Sequence, residues 1–314
     1  MGLLLFGHLV NRRDILTQKP FLLRHQLAKL LSVVLLVLPS IAKAQSDETS
    51  RAWNRPVEPF RIIGNVYYVG ATEVSSFLIT TPEGHILLDS GFAETVPLIQ
   101  ANLKKLGFKI EDVKILINSH AHYDHAGGLA DLKELTGAKL MTSEADAVLL
   151  ANGGKGDFRW GDDLSYKPVK VDRLLRDNDK VELGGVTLTA RLTPGHTKGS
   201  TTWTMKVKES GRQLDVIFAG STSAPGYKLI DEPNYPGIAG DYDYTFRLLK
   251  SLHCDVFLGP HGSIFSLLDK AARLKQGEKN NPFIDPKGYR NFIEESEKNF
   301  LAQLEKQRQA KKTE

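Results

Sequence analysis

Three imidazoles and a carboxylate fall within six residues, at His120, His122, Asp124 and His125 of Ser119-His120-Ala121-His122-Tyr123-Asp124-His125-Ala126-Gly127-Gly128. Neutral imidazole and carboxylate are the donors that a borderline divalent metal such as zinc takes. A structural core has no reason to collect so many polar groups unless something pairs them, because each is costly to bury alone. His120 and His122 are two apart in an extended segment and project to one side, whereas Asp124 and His125 follow where the chain turns. Two groups of ligands so close together suit two metals better than one. His8, His25, His85 and His253 stand alone and read as ordinary surface or core residues.

The elements around the motif explain how it is held. Val113-Lys114-Ile115-Leu116-Ile117-Asn118 is apolar and β-branched, the pattern of a buried strand. Leu129, Leu132 and Leu135 follow at helical spacing, with Gly137 as the stop. The ligands therefore sit on a strand-to-helix loop.

The same arrangement recurs along the chain. A β-meander is expected from Phe60 to Ile79, and Ile86-Leu87-Leu88 is a strand ending at Asp89. Val96 to Leu106 is an amphipathic helix, Ala138 to Thr142 a strand, and Ser143 to Leu150 a helix opened by a Ser-x-x-Asp capping pattern. Strands near Lys180–Leu183 and Val186–Leu192 lead to Pro194-Gly195-His196. Thr201–Val207 and Leu214–Ala219 are strands, the second ending at Gly220-Ser221. Tyr242–Leu252 is a helix, and Val256–Gly259 a strand running into Pro260-His261-Gly262. Tyr289, Phe292, Ile293, Phe300 and Leu304 mark a last amphipathic helix, assigned to packing. His120, His122, Asp124, His125, His196, Ser221 and His261 thus all lie just past strand ends. An α+β sandwich, two mixed sheets face to face with helices outside, brings such loops to one rim. Between Ala151 and Pro168 the periodicity dissolves into a glycine-rich loop, whose Phe158 and Trp160 are either tucked beneath it or line a pocket.

The beginning of the chain reads as a leader. Leu30 to Leu38 is a largely apolar run too short to span a bilayer. Arg12, Arg13, Lys19 and Arg24 precede it, and Ala42-x-Ala44 follows as a small-residue cleavage site. Residues 1–44 are expected to be a signal peptide, cut after Ala44, that delivers the protein to the periplasm or medium. Arg12-Arg13 leaves both the general and the twin-arginine export routes open. Residues 45–58 are expected to be irregular, 59–310 to form the domain with its C-terminal helix, and 311–314 to be a polar tail. The leader holds six of the 41 Lys/Arg and one of the 37 Asp/Glu, so the mature chain carries 35 basic and 36 acidic residues, a net −1. That balance lacks the footprint of a nucleic-acid binder. The single cysteine, Cys254, lies in an apolar run and reads as a small buried hydrophobe.

Taken together, His-x-His-x-Asp-His, Gly195-His196-Thr197 and Gly259-Pro260-His261-Gly262 resemble the metallo-β-lactamase superfamily from about Phe60 to Phe265. The resemblance implies an αββα fold and two Zn2+ per chain. It implies one zinc held by His120, His122 and His196, the other by Asp124, His125 and His261, and Asp89 supporting the ligands from outside. Glyoxalase II, lactonases and nucleases of the superfamily usually place a metal-bridging aspartate after the strand that here ends in Gly220-Ser221. Subclass B1 and B2 β-lactamases place a cysteine there. Serine at 221, His120 retained, and Ser221-Thr222-Ser223-Ala224-Pro225-Gly226-Tyr227 are most like subclass B3.

By that resemblance the chain opens the β-lactam ring of penicillins, cephalosporins and carbapenems with hydroxide formed at the metals. Asp124 orients the attacking group, Tyr227 assists at the carbonyl oxygen, and Ser221 and Ser223 hold the substrate carboxylate. Trp160 and Phe158 are candidate pocket walls. The partner is then a small-molecule β-lactam, with neither nucleic acid nor membrane bound after leader cleavage, and a monomer is expected. Two other readings stand beside it: another binuclear-zinc hydrolase of the same fold acting on a lactone or thioester, and an exported zinc carrier without turnover. A serine hydrolase is disfavoured, since no Gly-x-Ser-x-Gly elbow is present.

Overall fold

The computed structural model describes residues 48–313. The expected leader, its cleavage site and Glu314 lie outside the described residues. Residues 48–53 are helical where an irregular segment is expected. No helix among the described residues is long and apolar enough to cross a membrane.

Two mixed sheets carry the fold. The first has seven strands in sequence order: β1 (Phe60–Ile63), β2 (Val66–Tyr68), β3 (Phe77–Thr81), β4 (Gly84–Leu88), β5 (Val113–Ile117), β6 (Lys139–Ser143) and β7 (Arg173–Leu175). The expected meander is its antiparallel half, β1 to β4, and β4 to β7 run parallel. Helices α1 (Val96–Lys105), α2 (Tyr123–Ala126), α3 (Leu129–Thr136) and α4 (Glu144–Ala151) follow within this half. The second sheet is ordered β12-β11-β10-β9-β8, from β8 (Lys180–Leu183), β9 (Val186–Leu192), β10 (Thr201–Glu209), β11 (Arg212–Phe218) and β12 (Val256–Leu258). Helices α5 (Ile238–Ser251), α6 (Leu267–Lys275) and α7 (Pro286–Thr313) complete the chain.

Packing on both faces shows why Ile86-Leu87-Leu88 of β4 and Ile115-Leu116-Ile117 of β5 are apolar runs. Ile86, Leu88, Ile115 and Ile117 join the core that also holds Trp203, Val216 and Phe218 of the second sheet. Leu87 and Leu116 face the other way, into a cluster with Ile99 and Leu103 of α1 and Leu129 and Leu132 of α3. A strand covered on both faces has no polar side to alternate with. Tyr242, Phe246 and Leu249 of α5 pack with Tyr289, Ile293, Phe300 and Leu304 of α7 into the core of the second sheet. The layers are therefore helix, sheet, sheet, helix, the sandwich that the motif positions imply.

Gly137 ends α3 in the left-handed conformation, φ 66°, as its position suggests. Three elements differ from expectation. The strand β7 was not foreseen, α5 begins four residues earlier than Tyr242, and α7 runs on to Thr313, taking in residues 311–313 of the supposed tail. Cys254 is buried, and burial together with Asp255 pushes its thiol up to about 12.

Candidate metal centre

Each strand end delivers one part of the site. Asp89 follows β4 with φ 60°, a left-handed backbone uncommon outside glycine, asparagine and aspartate. That bend aims its carboxylate across to the end of β5. Oδ1 accepts the Ser119 N–H at 2.6 Å, and Oδ2 accepts the Ser119 hydroxyl at 2.7 Å. The Ser119 Oγ lies 3.0 Å from His120 Nδ1. With its own proton given to Asp89, the hydroxyl accepts from Nδ1–H and leaves His120 Nε2 with a free lone pair. Asp89 Oδ2 also stands 3.4 Å from His125 Nδ1, so one carboxylate orients two imidazoles.

The helix α2 begins after His122, which keeps extended backbone angles, and it carries Asp124 and His125. It is pinned to the β4 loop by the Ser90 N–H and hydroxyl, both donated to the His125 carbonyl at 2.9 Å. His196 follows Gly195, whose φ is 134°, and a Cβ there would meet the Tyr242 ring at 2.9 Å. Only glycine fits that approach. His196 Nδ1 lies 2.8 Å from the Ser223 carbonyl oxygen, to which it donates, turning its Nε2 lone pair inward. His261 follows β12, pairs with Val74 in an isolated bridge, and meets Trp53 edge-on at 5.2 Å.

Six side chains converge in two groups. One donor atom each from His120, His122 and His196 lie within 4.8 Å of one another, with His122 Nδ1 and His196 Nε2 3.0 Å apart. In the second group His125 Nε2 stands 3.2 Å from both His261 Nε2 and Asp124 Oδ2, and the last two are 3.6 Å apart. The His120 and His125 rings join the groups, centroids 4.2 Å apart. Burial, then the charge of neighbouring imidazoles, pushes His120 well below the usual histidine range, His196 down to about 3 and His261 down to about 4. Burial alone opposes charge on Asp124 and His125, yet their mutual attraction prevails. Asp124 is held below the carboxylate range, and His125, also facing Asp89, rises to about 10.

This donor set fits a pair of divalent metal ions. Five imidazole nitrogens and a carboxylate oxygen face one another at separations that a shared cation bridges. Ligating imidazole is neutral, so His125 would give up its proton on holding a metal.

A cleft of about 520 Å³ opens beside the second group, lined by Trp53, Ser221, Ser223, His261, Phe292 and Gln303 among others. The two serine hydroxyls lie 3.3 Å apart on its wall. Phe158 does not line it: the ring is packed edge-on against Tyr227 and Tyr235, both at 5.0 Å, and is tucked into the core. Trp160 is half-buried under the Arg159 guanidinium, 4.6 Å from its ring, and is likewise absent from the cleft lining. Tyr227 is buried, stacks on His196, and donates its hydroxyl to the His196 carbonyl at 3.0 Å. It supports a ligand, with its hydroxyl resting on the His196 carbonyl rather than facing the cleft.

Sequence reasoning missed Trp53 and the part played by α7. Gln303 and Gln307 donate to the Tyr227 carbonyl at 3.0 and 2.7 Å, and Gln307 Oε1 accepts the Leu229 N–H at 2.7 Å. The last helix thus clamps the loop that carries Ser221 and Ser223. His85 packs edge-on to Phe108, and exposed His253 pairs with Asp215 at 3.2 Å, each away from the groups above.

Residues 69–261 match the metallo-beta-lactamase superfamily model, and the chain belongs to that superfamily. Among solved structures it is similar to the FEZ-1 metallo-beta-lactamase from Legionella gormanii, at 47% identity and TM-score 0.80 over 81% of this chain and 98% of that one. It is also similar to BJP-1, a subclass B3 metallo-beta-lactamase of Bradyrhizobium japonicum, at 40% identity and TM-score 0.78 over 82% and 97%. A hydroxyacylglutathione hydrolase of Hyphomonas neptunium is 29% identical over 145 residues, 43% of this chain and 48% of that protein. The chain spans about half the length of the curated relatives it matches first.

Proposed function

We propose that the chain hydrolyses the β-lactam ring of penicillins, cephalosporins and carbapenems with two bound zinc ions. The observation that carries this reading is the junction of two three-ligand groups with a cleft walled by the Ser221 and Ser223 hydroxyls. The likeness to FEZ-1 and BJP-1 along nearly their whole length supports it. Bound zinc supplies Lewis acidity and a water made acidic enough to attack at neutral pH.

The protein's own groups do the rest. His120, His122 and His196 would hold one ion, and Asp124, His125 and His261 the other. Asp124, kept ionised, accepts an O–H of the attacking water and orients it towards the lactam carbonyl. Ser221 and Ser223 donate to the substrate carboxylate and place the ring over the ligands. Trp53 and Phe292 exclude water from the cleft walls. Export by the expected leader belongs to the same proposal and places the enzyme where such compounds arrive.

A substrate panel tests it. The mature chain, residues 45–314 with zinc, should open a penicillin, a cephalosporin and a carbapenem in a chelator-sensitive reaction, sparing a monobactam. Turnover of a lactone or a thioester with no lactam opening would overturn the substrate and keep the metal site.

A further inference from the structure

His120 and His196 each have an acceptor behind the ring, Ser119 Oγ for one and the Ser223 carbonyl for the other. His122 has no such acceptor on its own loop. Its Nδ1 faces His196, and its Nε2 is buried without a hydrogen bond. The nearest partner comes from the glycine-rich loop: Asp157 Oδ2, also buried and without a hydrogen bond, lies 3.4 Å from that Nε2. The other oxygen, Asp157 Oδ1, accepts the Arg159 and Trp160 N–H groups at 2.8 Å each. Gly161 closes the turn by exchanging backbone bonds with Asp157 at 3.0 and 3.2 Å.

We propose that Asp157 is the positioning residue for His122, accepting its Nε2–H so that Nδ1 is presented to the metal, and that it thereby couples the seating of the 153–163 loop to metal binding. This rests on the metal-binding reading above. Two buried atoms of complementary type, each with no other partner, are costly to leave apart. Outer carboxylates of this kind set the tautomer and basicity of a ligating imidazole.

The isosteric variant gives a sharp test. In Asp157→Asn the amide nitrogen must face either His122 Nε2–H or the two backbone N–H groups, donor against donor in both orientations. Zinc affinity is read by competition with a chromophoric chelator for the wild-type enzyme, Asp157→Asn and Asp157→Ala. The expected result is a 10- to 100-fold loss for one of two zinc equivalents in both variants, the other equivalent being unchanged. In zinc-loaded, nitrogen-15-labelled enzyme a slowly exchanging His122 Nε2–H signal is expected, and it should vanish in both variants. Zinc should also protect the Arg159–Trp160 bond from trypsin in the wild type alone. Wild-type affinity in both variants would overturn the inference, as would equal loss of both equivalents, which marks damage to the fold. Wild-type enzyme that bound no zinc would instead overturn the metal reading, and this inference with it.

Discussion

His196 Nδ1 lies 2.8 Å from the backbone carbonyl of Ser223, so a direct hydrogen bond ties the ligand loop to the serine loop. The shorter contact uses main chain on the serine side, the Ser223 hydroxyl lying farther off at 3.3 Å, which separates two roles of that residue. Replacing Ser221 and Ser223 together by alanine leaves the carbonyl in place. Zinc content should stay at the wild-type value, while KM for carboxylate-bearing β-lactams rises by about tenfold or more, the loss of at least one hydrogen bond to a charged group. Unchanged KM in steady-state assays would remove the serines from substrate binding.

Asp89 bears on both ligand groups through Ser119 and His125. Asn tolerates the left-handed backbone that Asp89 adopts, so Asp89→Asn tests the carboxylate without straining the chain. An amide offers one acceptor where two are used. Zinc affinity should fall roughly 10- to 100-fold with the far-ultraviolet circular dichroism unchanged, and chelator competition measures it.

Asp146 shows a cost built into the fold. It is fully buried, and its oxygens accept the Thr197 hydroxyl at 3.2 Å and the Gly199 N–H at 3.1 Å, with the Ala121 backbone N–H also directed at it. Burial outweighs these bonds and pushes the carboxyl up to about 6. The folded form binds this proton more tightly than the unfolded chain does. Its contribution to stability is therefore fully present below about pH 4 and is lost progressively as pH rises from there through about 6. Asp146→Asn, neutral throughout, should gain stability relative to wild type by about 2–3 kcal/mol between pH 4 and pH 8. Urea unfolding of both proteins with chelator present checks the difference, and a pH-independent difference would contradict it.

The clamp of α7 on the Tyr227 carbonyl predicts a stability cost remote from any ligand. Gln303→Ala with Gln307→Ala strips that carbonyl and the Leu229 N–H of their partners. A loss of about 2 kcal/mol is expected, read as a lowered Tm, together with a raised KM because the serine loop loses its backing. A double variant as stable as wild type would show that α7 merely covers the core.

What the sequence disclosed was local or strongly periodic. His120 to His125 are legible because four donors share one loop, and β4 and β5 because Ile86-Leu87-Leu88 and Ile115-Leu116-Ile117 are apolar runs buried on both faces. His196 and His261 became legible through the order of the motifs, since nothing near either residue marks it as a ligand. β7 is three residues long, too short to show a period. Asp146 reads as half of a capping box, and Ser143 does cap α4 by accepting the Asp146 N–H at 3.3 Å. The Asp146 carboxylate, however, is taken by a loop more than fifty residues away. Asp157 looks like an ordinary turn residue, and Phe158 like a pocket wall, because what decides each is a distant side chain. Trp53 belongs to a polar segment whose only signal is the tryptophan itself.

The most direct test of the account is a zinc titration of chelator-stripped enzyme, with bound metal and carbapenem ring opening read on the same samples. Turnover should be absent without metal and rise as zinc binds, with saturation at two ions per chain; His261→Ala should bind one fewer and lose most turnover. Full turnover without bound metal, or none with two ions in place, would contradict it.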